Sequence, residues 1–213
     1  MRGLAIAFAC ASVLLSTPCL AQAQTSKSVQ LSKVILDTES RPIAGKLKGG
    51  TLCVFPSKID GVLPKDKKSQ DYERYDTLFS EKMKALGFRV VTTSGDLFAG
   101  EDDKNKADLL VGAVVYPDTL NICSSVNGEK GDVTLTVDWQ IFDRAAGKVI
   151  EKATTSGKGV QEKFSRDGLV GMWNRAFIMS LTALIDQGSL QKSAGVVVTP
   201  EAPKPAPPTA ATP

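Results

Sequence analysis

Val133-Thr134-Leu135-Thr136-Val137-Asp138-Trp139-Gln140-Ile141 is the stretch whose reading decides the fold. Apolar residues at 133, 135, 137, 139 and 141 alternate with polar ones, and successive side chains of a strand point to opposite faces, so one face is buried and the other meets water. Asn127-Gly128 lies in the connection before it and Asp143 to Lys148 in the connection after it. Both are turn-rich, which makes the flanking strands antiparallel partners. The upstream partner is Leu109 to Tyr116, a continuous apolar run that reads as a central strand buried on both faces. The downstream partner runs from Val149 to Thr155 or beyond, and Ser156-Gly157-Lys158-Gly159 reads as its flexible end.

Outward from this meander the periodicity changes. Tyr75, Leu78, Phe79, Met83 and Leu86 recur at three- and four-residue spacing, which predicts a helix stopped by Gly87. A second helix is predicted from about Asp167 to Asp186, with Leu169, Val170, Trp173, Ala176, Phe177, Leu181, Leu184 and Ile185 on one stripe and Gly188 as its stop. Thr51 to Phe55 reads as a short buried strand ended by Pro56, and Phe88 to Thr92 as another. Strand, helix and strand in that order signal parallel neighbours. The expected fold class is α+β, an α/β sandwich: a five-stranded mixed sheet with a β-α-β start and an antiparallel meander, and two amphipathic helices packed on one face.

The order Ala107-Asp108-Leu109-Leu110-Val111-Gly112, then Trp139-Gln140-Ile141-Phe142-Asp143 turning through Gly147-Lys148-Val149-Ile150 to a closing helix, resembles the αβ domain of envelope proteins. These include the curli secretion lipoprotein, the outer-membrane activator of penicillin-binding proteins and the N-terminal domain of the Tol-system propeller protein. The resemblance spans about Leu52 to Leu190 and implies an architecture and an envelope location; its motifs specify no partner.

The ends of the chain set its compartment. Residues 1–23 carry Arg2, an apolar run from Leu4 to Leu15, Pro18 and the small-residue series Leu20-Ala21-Gln22-Ala23, the pattern of a secretory signal peptide cleaved near Ala23. Pro18 stands just before Cys19, where a lipoprotein signal carries a small residue, so lipidation is not expected. No later segment reads as a membrane span, and the expected location is the periplasm or the exterior. Residues 24–50 form an N-terminal extension in which Val29, Leu31, Val34 and Ile35 alternate and can lie along a sheet edge. Residues 51–190 are expected to be a single domain. Residues 191–213 form a Pro/Ala-rich tail, holding six of the eleven prolines, that cannot build a core.

Removing the leader takes away Cys10 and Cys19 and leaves Cys53 and Cys123. A single pair in an oxidising compartment favours a disulfide; two separately buried thiols are the alternative.

The chain has 213 residues, 26 Lys+Arg, 23 Asp+Glu and no histidine. The missing imidazole excludes Ser-His-Asp and Cys-His catalysis and His-ligated metal sites, and no cofactor is implied. The net charge of +3 is too small and too evenly spread to announce a nucleic-acid binder. Remaining candidates read as ordinary surface or core. Glu101-Asp102-Asp103 lacks the alternation of a calcium loop, and Ser189-Leu190-Gln191-Lys192 has serine-lysine spacing but lies past the helix stop. Gly157-x-Gly159 lacks the third glycine of a dinucleotide fingerprint, and Asp66 interrupts Lys65, Lys67 and Lys68. Trp139 and Trp173 sit on apolar stripes and are expected in the core. The expected function is that of an exported, non-enzymatic binding or assembly module for an envelope protein or cell-wall component. The alternatives are a small-ligand or carboxylate/lysine-based enzyme domain, and the front end of a longer exported protein.

Overall fold

The computed structural model describes residues 26–57, 70–92 and 106–196. Residues 1–23, Lys65 to Lys68, Glu101 to Asp103 and the prolines from Pro200 onward lie outside the described residues. The described chain folds as an α+β unit: a six-stranded mixed sheet with helices packed on it.

The meander forms its centre. Strands β4 (Leu109–Ser125), β5 (Gly128–Asp143) and β6 (Lys148–Ser165) pair antiparallel in sequence order. They are about twice as long as the alternating stretch suggests, because residues that usually end strands are built into them. Pro117 sits at a register shift between Pro117 and Thr119, where the buried positions of β4 pass from odd to even numbers. Gly157 and Gly159 are not a flexible end; they lie in the middle of β6, paired with Leu135 and Val133.

The other edge of β4 is shared by two parallel strands, β1 (Val29–Leu36) along its first half and β2 (Ala44–Gly49) along its second. Short β3 (Phe55–Ser57) adds antiparallel to β2. The β-α-β unit is therefore made from strands other than the expected pair. Thr51, Leu52 and Cys53 form a turn rather than a buried strand, with Leu52 80% exposed. Phe88 to Thr92 contributes one bridge, Val29 to Val90, rather than a strand. The parallel partners across the helix are β1 and β2 before it and β4 after it.

Helix α1 (Gln70–Ala85) presents Tyr75, Phe79 and Met83 to the core and ends at Gly87, whose φ of 82° lets the Gly87 and Phe88 amides donate back to Lys84 and Met83. Helix α2 (Gly168–Asp186) buries nine residues against β5 and β6. By length and composition it does meet the test for a membrane span, contrary to expectation. Its packing accounts for half of that composition, since nine of its residues are buried against protein while Val170 and Met179 face solvent. Helix α3 (Ser189–Ala194) adds Leu190 and Ala194 to the same core, so Ser189 and Lys192 stand on a packed helix rather than beyond the core.

All the large buried side chains of β5, Val133 to Ile141 at odd positions, face the helices. Trp139 and Trp173 are both in the core, where the ring neighbour of Trp139 is Phe177 at 5.6 Å, followed by Tyr75 on α1 at 4.5 Å from Phe177. The indole Nε1 of Trp139 donates to Thr155 Oγ1 at 2.7 Å, and that hydroxyl lies within 2.9 Å of the Ser180 carbonyl. This buried chain satisfies the polar atom that a core tryptophan brings with it. It also pins α2 to the two strands beneath it.

Candidate functional site

The even positions of β5 define what the helices leave open. Gln140, Asp138, Thr136, Thr134, Asp132 and Lys130 point away from the core, and the register sets Gly112, Val114, Tyr116, Thr119, Asn121 and Cys123 of β4 beside them. Lys152, Thr154, Ser156, Lys158 and Val160 of β6 complete the rows. The face is polar and internally bonded. Thr154 donates to Asp138 at 2.7 Å and Thr136 to Asp118 at 2.6 Å, and Arg41 stacks 3.8 Å above the Tyr116 ring while reaching Asp138 at 3.4 Å.

At one end of this face lies a shallow hollow of about 440 Å³. Lys46 and Lys48 of β2, Asn121 and Cys123 of β4, Lys130 and Asp132 of β5, and Val160 and Glu162 of β6 line it. Asp132 is engaged there by Asn121 Nδ2 at 3.2 Å and Lys158 Nζ at 3.4 Å. The sequence reading missed these three lysines. Lys46 and Lys130 are far apart in the chain and meet only through the pairing of β2 and β5 on either side of β4; the one local signal is the alternation Lys46-Leu47-Lys48, with Leu47 buried between them.

The structure brings Cys53 and Cys123 together as a disulfide, with Cα atoms 5.5 Å apart. It ties the turn after β2 to the end of β4. Cys53 carries φ of 56°, the left-handed conformation that the tight turn Gly50 to Cys53 imposes, with its amide donating to the Gly50 carbonyl at 3.1 Å.

The opposite end of the sheet is a polar clasp. The Ser28 amide and hydroxyl both donate to Asp108 Oδ2 at 2.7 Å, and these bonds hold the Asp108 carboxyl below its ordinary range, helped by Arg89 and Lys27. Lys27 Nζ donates to Asp143 Oδ2 at 2.6 Å and, with the Ala146 amide, holds that carboxyl low as well. Beside the clasp, Ser189 and Lys192 line a depression of about 700 Å³ together with Lys27, Glu151 and Gln187. No hydrogen bond joins Ser189 to Lys192 among the described residues, and the Lys192 amide is spent on the Gly188 carbonyl. On α1, burial raises the Asp76 carboxyl above its usual range, and its Oδ1 has no hydrogen-bond partner among the described residues. Among the described residues no group of three or more His, Cys, Asp or Glu side chains could hold a metal ion.

No family model and no curated protein matches the chain. Solved structures similar to it include the PelC dodecamer from Paraburkholderia phytofirmans, at 16% identity over 74% of this chain and 88% of that one, with a TM-score of 0.37. A neuraminyllactose-binding hemagglutinin homolog from Helicobacter pylori follows at 14% identity, with 77% and 86% covered and a TM-score of 0.37. Lipoprotein GNA1162 from Neisseria meningitidis has 10% identity, 76% and 98% covered and a TM-score of 0.29. The names of the three are not those of the families that the sequence resembles, and at these values no role passes from them to this chain.

Proposed function

We propose that this chain is an exported, non-enzymatic binding module that holds an envelope protein or cell-wall component against the helix-free face of its sheet. The observation that carries the reading is that face. Three long strands present rows of threonine, serine, aspartate, asparagine and lysine there, while α2 packs on the opposite side. Polar groups recur about 4.8 Å apart across the strands and about 7 Å apart along them, a spacing that suits an extended partner with repeating donors and acceptors. The leader-like residues 1–23 and the Cys53–Cys123 bridge support an oxidising, exported setting. The absence of histidine supports a role without acid-base chemistry. The resemblance of Ala107 to Gly112 to the entry of envelope αβ domains belongs to the same reading.

Affinity capture from a cross-linked envelope fraction tests it, comparing the native chain with a Thr134→Arg, Thr136→Arg variant. A discrete partner retained by the native chain and lost from the variant is expected. The same nonspecific set recovered by both overturns the reading.

A further inference from the structure

The four most exposed large apolar side chains among the described residues are Val126 at 93%, Leu52 at 80%, Phe55 at 66% and Val54 at 63%. They lie at one end of the sheet. Leu52, Val54 and Phe55 belong to the segment that follows β2, and Val126 caps the turn between β4 and β5. The Cys53–Cys123 bridge and the bond from the Gly50 amide to the Ser124 carbonyl hold the two turns side by side. Water-exposed apolar groups clustered this way mark a contact surface rather than scattered surface hydrophobes.

Behind the apolar tip stands a collar of cations. Lys48 and Lys130 flank Cys123 on its two neighbouring strands, and Lys46 lies two residues further along β2. None of the three has an ion-pair partner among the described residues; Lys130 rests over the Phe164 ring at 4.5 Å. The segments that build this end, residues 44–57, 121–132 and 158–168, carry six Lys and Arg against four Asp and Glu.

We propose that this end is a membrane-surface contact, with Leu52, Val54, Phe55 and Val126 entering the apolar boundary of an anionic bilayer and Lys46, Lys48 and Lys130 meeting its headgroups. Two observations choose a lipid surface as the occupant. Leu52, Val54 and Val126 project beyond the last sheet rungs, Gly49 with Ser124 and Ser125 with Gly128, and Phe55 stands on the Gly49 rung beside them, so the four form a projecting tip rather than a groove. Three residues of strand, about 10 Å, separate Val126 from the Cys123 rung, which sets the lysines at headgroup depth when the tip is immersed by about 5–10 Å. The contact goes beyond the partner-binding face and does not use Thr134 or Thr136, so the two ideas fail separately.

Site-specific fluorescence on the full, disulfide-bonded chain tests the proposal. Trp139 and Trp173 are 1% and 6% exposed, so their emission should stay constant as vesicles are added, and a reporter placed by Val126→Trp is read against that fixed background. With vesicles of equal parts phosphatidylcholine and phosphatidylglycerol, emission from Val126→Trp should shift to the blue and be quenched by lipids brominated along the acyl chain. Met179→Trp, on the solvent side of α2, should show neither change, which separates tip insertion from attachment elsewhere in the chain. Replacing Lys46 and Lys48 together by Gln should raise the lipid concentration for half-maximal quenching by about 25-fold, about fivefold per lysine. No quenching of Val126→Trp, or equal quenching at Met179→Trp, overturns the proposal. So does capture of the tip by an envelope protein in a preparation where lipid gives no signal.

Discussion

Gly159→Ala should destabilise this fold severely, although it adds one methyl group to a strand. A Cβ at 159 would stand 1.8 Å from the Met172 carbonyl oxygen and 2.9 Å from the Ala176 amide nitrogen, both backbone atoms of α2. Ordinary van der Waals contact begins near 3.4 Å, so the helix would have to retreat by about 1.6 Å. It cannot do so locally. Met172, Trp173, Ala176 and Phe177 on that helix are all buried, and Ser180 anchors it through Thr155 to Trp139. Close-packed interiors do not absorb such a shift, and the cost should reach about 3 kcal/mol, at or above the upper end for overpacked cores. Urea unfolding followed by the fluorescence of the two buried tryptophans measures it, and with a slope of about 2 kcal/mol/M the midpoint should fall by about 1.5 M. Gly112→Ala is the control, because the nearest atom to its Cβ, the Gln140 oxygen, is 4.0 Å away; its midpoint should move by less than about 0.5 M. Gly159→Ala within about 1 kcal/mol of the native chain at unchanged slope would falsify the placement of α2 on β6.

Three further outcomes can be checked with the same unfolding curves. Thr155→Val leaves the Trp139 Nε1–H without its acceptor and should cost about 1–3 kcal/mol, whereas an unchanged midpoint would show that the indole finds another partner. Closing a loop across the 70-residue separation of Cys53 and Cys123 restricts the unfolded chain by about 4 kcal/mol, so the double serine variant and the native chain in dithiothreitol should converge on the same lowered midpoint. Insensitivity to dithiothreitol would contradict a formed bridge. Asp76 has its carboxyl raised above the unfolded value of 3.8 by burial, so its charged form opposes folding. The penalty is absent below the unfolded value, grows as pH rises through it and is complete above the folded value. Asp76→Asn should therefore gain stability at neutral pH and match the native chain in acid; an equal difference at both pH values would refute that cause.

The meander was legible because one face is buried and the other wet over Val133 to Ile141, which leaves period two plainly in the sequence. Its length was not legible. Pro117 reads as a strand breaker until a register shift accommodates it, and Gly157-x-Gly159 reads as slack until the approach of the α2 backbone requires two residues without a Cβ. The parallel edge was obscured for a different reason. Val29 and Leu31 are fully buried, but β1 is short and its pattern breaks at a register shift between Leu31 and Lys33. Thr51 to Phe55 misled in the opposite sense: its apolar residues satisfy a strand pattern, yet Gly49-Gly50 before it and the bridge at Cys53 hold Leu52 and Val54 in solvent. The cysteine pair could be nominated from compartment and count. The lysine hollow could not, because it exists only once β2 and β5 are laid on opposite sides of β4.

The most direct test of the binding-module account is photocross-linking in the living cell from single positions on the two sides of the sheet. With the photoreactive group at Thr136 or Thr154 on the helix-free face, the account predicts one shared, discrete adduct with an envelope protein or cell-wall fragment. It predicts none from Met179 on α2. Adducts that are absent at Thr136 and Thr154, or the same at all three positions, would contradict it.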